Sequence, residues 1–321
     1  MKQFVWAPGA GYDRGALERL RSKFPRPCEP MGEAWFMGNE RKMYPELAGD
    51  LQKLSSYELQ RPLTEIAIGT SSFGRMNEWT DWYHYLLGQL IPRSHQESVD
   101  CLLEYLVTGF MALYPTGNED EPYEGFKADA LHTLGRCIMD EACWSGSEIQ
   151  LGAMLHRTNN NPNRVWCWWN ASGDFSSSMF FCLKYLPESL IAGWLDSVLS
   201  IPSPHWRAQV LVWVLGASDI LTGEKRWPSE FVIGQTPSVG WAWSHCLSAE
   251  LLDDGRSRED PHVRFISETA SAQALERVRL YFTPDRYLDW LTSFDQAPSV
   301  RDELANLPRG FEALYVRGDD I

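Results

Sequence analysis

Hydrophobic residues recur at three- and four-residue intervals through most of the chain, which is the spacing that lines one face of an α-helix. One such stripe predicts a helix over residues 77–91, because Pro92 ends it. A second stripe predicts a helix over residues 94–114, which starts with Ser94 and Glu97 in the spacing of a capping box. Because only a few residues join them, the two helices are expected to pack antiparallel.

The same pattern continues toward the C-terminal end. It predicts a second antiparallel pair over residues 188–200 and 204–222, in which Ser203-Pro204 starts the later helix. The sequence has no convincing run of the alternating residues that are typical of strands, although Val165–Trp169 could form a short strand. The predicted fold class is therefore all-α, with further helices expected over 123–138, from Ser147 (boxed with Gln150), around Phe180 and from Thr283-Pro284.

A short internal repeat accompanies the helix pairs. Ile91-Pro92 with His95 recurs as Ile201-Pro202 with His205, an offset of 110 residues that would hold three helix pairs of about 37 residues each. Over about residues 62 to 250, this pattern resembles the HEAT-like α-solenoids and is similar to some bacterial toxin-immunity proteins. The resemblance implies stacked antiparallel helix pairs, in a solenoid or helical array, whose concave surface binds a partner.

The two ends of the chain differ from this body. Residues 1–60 contain "FPRPCEPMGEAWFMG", whose three prolines predict an irregular N-terminal cap. The stretch "DDGRSREDPH", residues 253–262, has the composition of a linker. We therefore predict an N-terminal cap over 1–60, a helical-repeat body over 61–252, and a linker with a C-terminal helical cap over 253–321.

Composition and charge narrow the class of partner. The chain has 321 residues, of which 44% are hydrophobic, enough for a large core, and its 29 basic against 43 acidic residues give a net charge of -14. That charge disfavours nucleic acid and anionic membranes and predicts a basic protein partner. The apolar runs are too short for a signal peptide or a membrane span, so a soluble cytoplasmic protein is expected. Seven cysteines without a Cys-x-x-Cys pair indicate neither a zinc site nor a disulfide framework.

Two stretches are candidate contact sites. In "NEDEPYE", four carboxylates fall within six positions, so this acidic tract is either a solvated loop or a contact for a basic partner. In "VWCWW", aromatic residues point to both faces of a strand and to several faces of a helix, which favours burial over a partner contact or a ligand platform. The candidate partner-binding residues are Glu119, Asp120, Glu121, Glu124, Trp166 and Trp168.

The sequence contains pairs that could suggest a metal site. Asp81-x-x-His84 and Asp129-x-x-His132 have the i, i+3 spacing of di-iron bundles, but those bundles use Glu rather than Asp and place the motif on the core side. Both pairs fall away from the apolar stripes, so we interpret them as a solvated polar face. No metal, cofactor or catalytic residue is predicted, since no nucleophile elbow, His-Glu-x-x-His motif or phosphate loop occurs.

Two functions from different classes follow. The first is a non-enzymatic protein-interaction module, an immunity or adaptor protein that binds and occludes a basic partner protein such as a toxin. The alternative is an all-α enzyme whose aromatic residues and carboxylates line a carbohydrate- or isoprenoid-processing pocket. The first is favoured because the sequence shows no constellation of catalytic residues.

Overall fold

The computed structural model describes residues 3–29, 31, 43–94, 102–151, 155, 168–232, 237–252, 262–305 and 307–316. Most of these residues are helical, and the predicted all-α class is confirmed. In this part of the chain, no helix is both long and apolar enough to cross a membrane. The α-helices in these ranges are α1 Arg14–Lys23, α2 Ser56–Phe73, α3 Asn77–Leu90, α4 Leu102–Leu113, α5 Phe126–Thr133, α6 Gly173–Tyr185, α7 Glu188–Leu199, α8 Pro204–Gly216, α9 Ser218–Thr222, α10 Glu268–Tyr281, α11 Pro284–Ser293, α12 Pro298–Glu303 and α13 Leu307–Tyr315.

Most helix ends lie close to the positions that the sequence indicates. α3 and α7 begin where predicted and end within one residue of the predicted position. α8 begins at Pro204 because the Ser203 hydroxyl accepts a hydrogen bond from the backbone N–H of Trp206, as an N-cap does. α4 ends one residue before the predicted position, whereas residues 95–101, with Glu97 of the expected capping box, lie outside the described ranges.

Two local predictions are wrong, and a glycine lies at each of the two places. No helix begins at Ser147, because β1 (Trp144–Ser145) and β2 (Glu148–Ile149) form an antiparallel hairpin there. Gly146, in the turn, has φ +62°, a left-handed conformation that glycine adopts without strain. The helix predicted over 204–222 is divided into α8 and α9. At the division, a Cβ on Gly216 would lie 2.8 Å from the carbonyl carbon of Ser238, so this close approach requires glycine.

The N-terminal segment forms part of the common core. The buried Trp6 ring lies 5.4 Å from the ring centroid of Trp194 and 5.8 Å from that of Trp206. Its indole N–H donates to the carbonyl of Gly135 at 2.8 Å. α1 packs against α3 and α5. The segment predicted as a cap is thus joined to the body by buried aromatic contacts.

Helices far apart in sequence also pack together. α4 packs against α2 and α6, and α7 packs against α10. Because each repeat of a solenoid contacts only its neighbours, these contacts do not confirm a HEAT-like stack. α3 packs against both α2 and α4, and α2 and α4 end beside the same cavity. This shared end positions the candidate site.

Candidate functional site

Glu119, the first residue of the acidic tract, is held rigidly on the loop that follows α4. Its Oε1 atom accepts hydrogen bonds from the backbone N–H of Thr116 at 2.7 Å and from the Thr116 hydroxyl at 2.8 Å. Its Oε2 atom is buried and has no hydrogen-bond partner in the described part of the protein. A buried carboxylate oxygen without a donor is unfavourable, so a positive charge brought near Glu119 would stabilise it.

The other three carboxylates of the tract are exposed. Glu121 accepts a hydrogen bond from the backbone N–H of Gly125 at 2.8 Å, and this bond shapes the loop ahead of α5. Asp120 and Glu124 face solvent. The tract therefore combines residues that fix its conformation with residues whose charges are open to a partner.

Glu119 also lines a cavity of about 680 Å³, which falls within the usual range for ligand sites. We call it the α2–α4 cavity, because the last residues of both helices form part of its wall. Other parts of the wall come from the loop after α4 and from the turn around Glu250. The side chains that matter for its chemistry are Ser72, Phe73, Arg75, Leu113, Glu119 and Glu250.

The electrostatic balance of the α2–α4 cavity is negative. The C-terminal end of a helix carries a partial negative charge, and two such ends meet here. Glu119 and Glu250 add two carboxylates. The opposing charge belongs to Arg75, whose guanidinium lies 5.1 Å from the ring centroid of Tyr114. Lys184 also interacts with Glu119, but it is buried, and burial lowers its pKa to about 7. Among the residues that line the cavity, two carboxylates and two helix ends outweigh one cation, so the cavity favours a positively charged group.

Behind Arg75 lies a buried pair, Tyr114 and His84. The Tyr114 hydroxyl and His84 Nε2 are 2.6 Å apart. Burial, followed by the positive charge of Arg75, lowers the pKa of His84 to about 3, so the imidazole is neutral at physiological pH. The interpretation of Asp81-x-x-His84 as a solvated face is therefore wrong for His84, which is 5% exposed because the aromatic ring of Phe24 stacks on it.

The second Asp-x-x-His pair differs from its prediction in the same way. Asp129 is buried and pairs with Arg19 at 2.6 Å, and the Tyr123 hydroxyl donates to it at 2.8 Å. His132 is half-buried, and burial lowers its pKa. The apolar stripes did not indicate that Asp129 and His132 are covered, because α1 packs on the side of α5 that lies away from the predicted stripe. Within the described ranges, no three His, Cys, Asp or Glu residues cluster as metal ligands would.

A second pair of acids lies deep in the core, where the first turns of α4 and α6 meet. Glu104 and Asp174 are 3% and 4% exposed, and the backbone N–H of Glu104 donates to Asp174 Oδ1 at 3.2 Å. The carboxylate of Glu104 accepts the backbone N–H of Trp243 at 3.2 Å. Burial, followed by the charge of Asp174, raises the pKa of Glu104 to about 8. A Cβ on Gly173 would lie 1.9 Å from Glu104 Oε2, so only glycine leaves room for this carboxylate.

The tryptophan stretch is described only in part. Trp168 is buried, its backbone N–H donates to Glu303 Oε2 at 2.5 Å, and its ring lies 5.5 Å from that of His205. Trp169 is half-buried against the core, and Trp166 lies outside the described ranges. The burial of Trp168 agrees with the core interpretation, so among the described residues of the predicted contact site the exposed ones lie in the acidic tract.

The charged neighbours of Glu119 identify it in the sequence, whereas Arg75, Glu250 and Glu104 belong to no charged motif there. Arg75 and Glu250 line the cavity only because α2, α4 and the turn at Glu250 meet. Glu104 is buried through its contacts with Asp174 and Trp243. A comparison of this chain with protein-family models, curated proteins and solved structures finds no match. Its function is therefore inferred from the geometry described above.

Proposed function

We propose that the protein is a non-enzymatic interaction module that binds and occludes a basic partner protein, as an immunity or adaptor protein does. The observation that carries this proposal is the acidic tract beside the α2–α4 cavity, where a buried carboxylate oxygen of Glu119 has no hydrogen-bond donor among the described residues. The net charge of -14 supports it, because a negative field accelerates the encounter with a basic protein.

Occlusion requires no catalytic residue, which agrees with the structural roles of His84 and Asp129. A partner that covers the tract would bury its own basic surface against Asp120 and Glu124, and it would lose access to its target. The packing of α3 against both α2 and α4 supports a HEAT-like array as the local architecture in this proposal. Such an array would present the ends of alternate helices to the partner.

The alternative, an all-α enzyme with an aromatic- and carboxylate-lined pocket, is supported by one observation. Glu104 and Asp174 form a close acidic pair, and the raised pKa of Glu104 is of the kind that a general acid needs. Both side chains are buried, however, so a carbohydrate or isoprenoid would have to open the core to reach them. If this alternative holds, Glu104→Gln abolishes turnover of a carbohydrate or isoprenoid substrate. The main proposal predicts instead that the same variant still binds the basic partner protein.

Affinity capture from the native cells tests the main proposal. We expect wild-type protein to capture a protein with an isoelectric point above about 9, and we expect salt to weaken that capture. The double variant Asp120→Lys/Glu124→Lys should lose the captured protein. A matched control, Glu276→Lys/Glu312→Lys, makes the same change in net charge at exposed positions outside the tract and should retain it. Equal loss in both variants, or capture of an acidic protein, would contradict the proposal.

A further inference from the structure

The α2–α4 cavity offers several hydrogen-bond acceptors to one ligand. The backbone N–H of Gly74 donates to the carbonyl of Thr70 at 3.1 Å and closes α2, so the carbonyls that follow Thr70 lie beyond the intrahelical ladder. α4 ends at the same wall, which brings a second set of terminal carbonyls to the cavity. The carboxylates of Glu119 and Glu250 complete an acceptor-rich wall.

Glu119 is the most specific of these acceptors. Thr116 donates twice to its Oε1 atom, so the carboxylate cannot turn freely. Its Oε2 atom is shielded from solvent and receives no hydrogen bond within the described residues. A buried carboxylate oxygen left in this state is costly, and a positive charge brought into the cavity that Glu119 lines would reduce the cost without touching that atom. The negative field of the two helix ends favours the same positive charge.

We propose that the α2–α4 cavity binds an arginine side chain of the basic partner. This inference rests on the proposed function and identifies the group that the partner presents. A guanidinium carries five N–H donors in one plane, which suits acceptors from two carboxylates and two helix ends better than the single centre of an ammonium group. It also stacks on aromatic rings, and Phe73 lines the cavity with 52% of its surface exposed. Arg75 reduces the negative field without balancing it.

Fluorescence anisotropy with a labelled Gly-Arg-Gly peptide, blocked at both ends, tests this inference. We expect saturable binding to the wild-type protein, whereas the peptide with neutral citrulline in place of arginine should bind at least about tenfold more weakly. Glu119→Gln should weaken arginine binding by about fivefold or more, because the variant keeps an oxygen for Thr116 but lacks the charge. Glu250→Gln should weaken it as well, and circular dichroism checks that both variants are folded.

Glu124→Gln is the matched control, since it removes the same charge from the same tract at a residue that does not line the cavity. We expect it to change arginine binding by less than about twofold. The inference would be overturned if the arginine peptide showed no saturable binding, or if a peptide with citrulline or lysine in place of arginine bound equally well. Equal losses of arginine binding in Glu119→Gln and Glu124→Gln would overturn it as well. Loss of partner capture in Asp120→Lys/Glu124→Lys would still support the proposed function, so the failures of the two proposals can be distinguished.

Discussion

At the scale of single residues, burial decides the chemistry of the ionisable groups. Glu104 and His84 are both buried, and burial disfavours the charged form of each. The pKa of the acid therefore rises and that of the base falls. Neither shift could be read from the sequence, because Glu104 is one polar residue among apolar ones and His84 lies next to a stripe. Their opposite shifts make folding stability depend on pH in opposite directions.

Glu104→Gln should reduce the pH dependence of the free energy of unfolding between pH 4.5 and 8. Because the pKa of Glu104 is about 8 in the folded protein and about 4.5 when unfolded, its contribution is fully present below pH 4.5 and is lost as pH rises toward 8. We expect the free energy of unfolding of the wild type to fall relative to Glu104→Gln by up to about 1.4 kcal/mol per pH unit in that window. Urea unfolding at several pH values measures this difference. A constant difference, as expected for the control Glu276→Gln, would contradict the burial of a carboxyl group.

His84→Gln should reveal a contribution to the free energy of unfolding that changes with pH in the opposite direction. The pKa of His84 falls from 6.5 to about 3 on folding, so its stabilising contribution is present above pH 6.5 and is lost as pH falls toward 3. The wild type should therefore lose stability relative to His84→Gln as the solution is acidified below pH 6.5. Between pH 4.5 and 6.5 the two groups oppose each other, so the wild-type profile alone does not reveal either slope. A difference that stays constant on acidification would show that His84 is accessible to protons when folded.

Trp168→Ala separates the core role of the tryptophan stretch from a binding role. Because Trp168 is 3% exposed, its truncation should destabilise the protein by about 3 to 5 kcal/mol. A thermal melt measured beside partner binding gives the order of the two effects. We expect the melting temperature to fall while the protein that remains folded still binds its partner. Unchanged melting with lost binding would identify Trp168 as a contact residue instead.

At the scale of elements, the apolar stripes predict which helix faces are buried. Leu103 on α4 and Trp213 on α8 are both buried, as the stripes require. Leu103→Ala should therefore cost about 2 to 5 kcal/mol, because it leaves a cavity in the core. Leu288→Ala on α11, whose side chain is 63% exposed, should change stability by less than about 0.5 kcal/mol. Equal effects of the two substitutions in denaturant unfolding would contradict this assignment of faces.

Some elements could be predicted from the sequence, and others could not. Periodicity and caps predict α3, α7 and α8 because these signals are local, as with Ser203 at the start of α8. The hairpin has a left-handed residue, Gly146, in its turn, and the break between α8 and α9 lies where Ser238 approaches Gly216. Hydrophobic periodicity indicates neither feature. For the candidate site, the cluster of carboxylates predicts the acidic tract. The cavity beside Glu119 could not be predicted, because it requires α2, α4 and the turn at Glu250 to meet.

At the scale of the whole molecule, charge and shape act together. A net charge of -14 attracts any basic protein, but such attraction alone has little specificity. The fold adds specificity by ending α2 and α4 at one cavity, next to a loop that carries Asp120 and Glu124. The packing of α4 against α2 and α6 joins this surface to the core. Specific binding of a basic partner thus requires a rigid negative surface with a defined pocket.

The most direct test is the rate at which the captured partner associates, measured by stopped-flow mixing from about 0.05 to 0.5 M salt. Because ions screen the field that steers the encounter, we predict that the wild-type rate falls at least about tenfold over this range. Asp120→Lys/Glu124→Lys should associate slowly already at low salt and depend less on it, while the control Glu276→Lys/Glu312→Lys should stay closer to the wild type. A wild-type rate independent of salt, or the same rate for both double variants, would contradict the account.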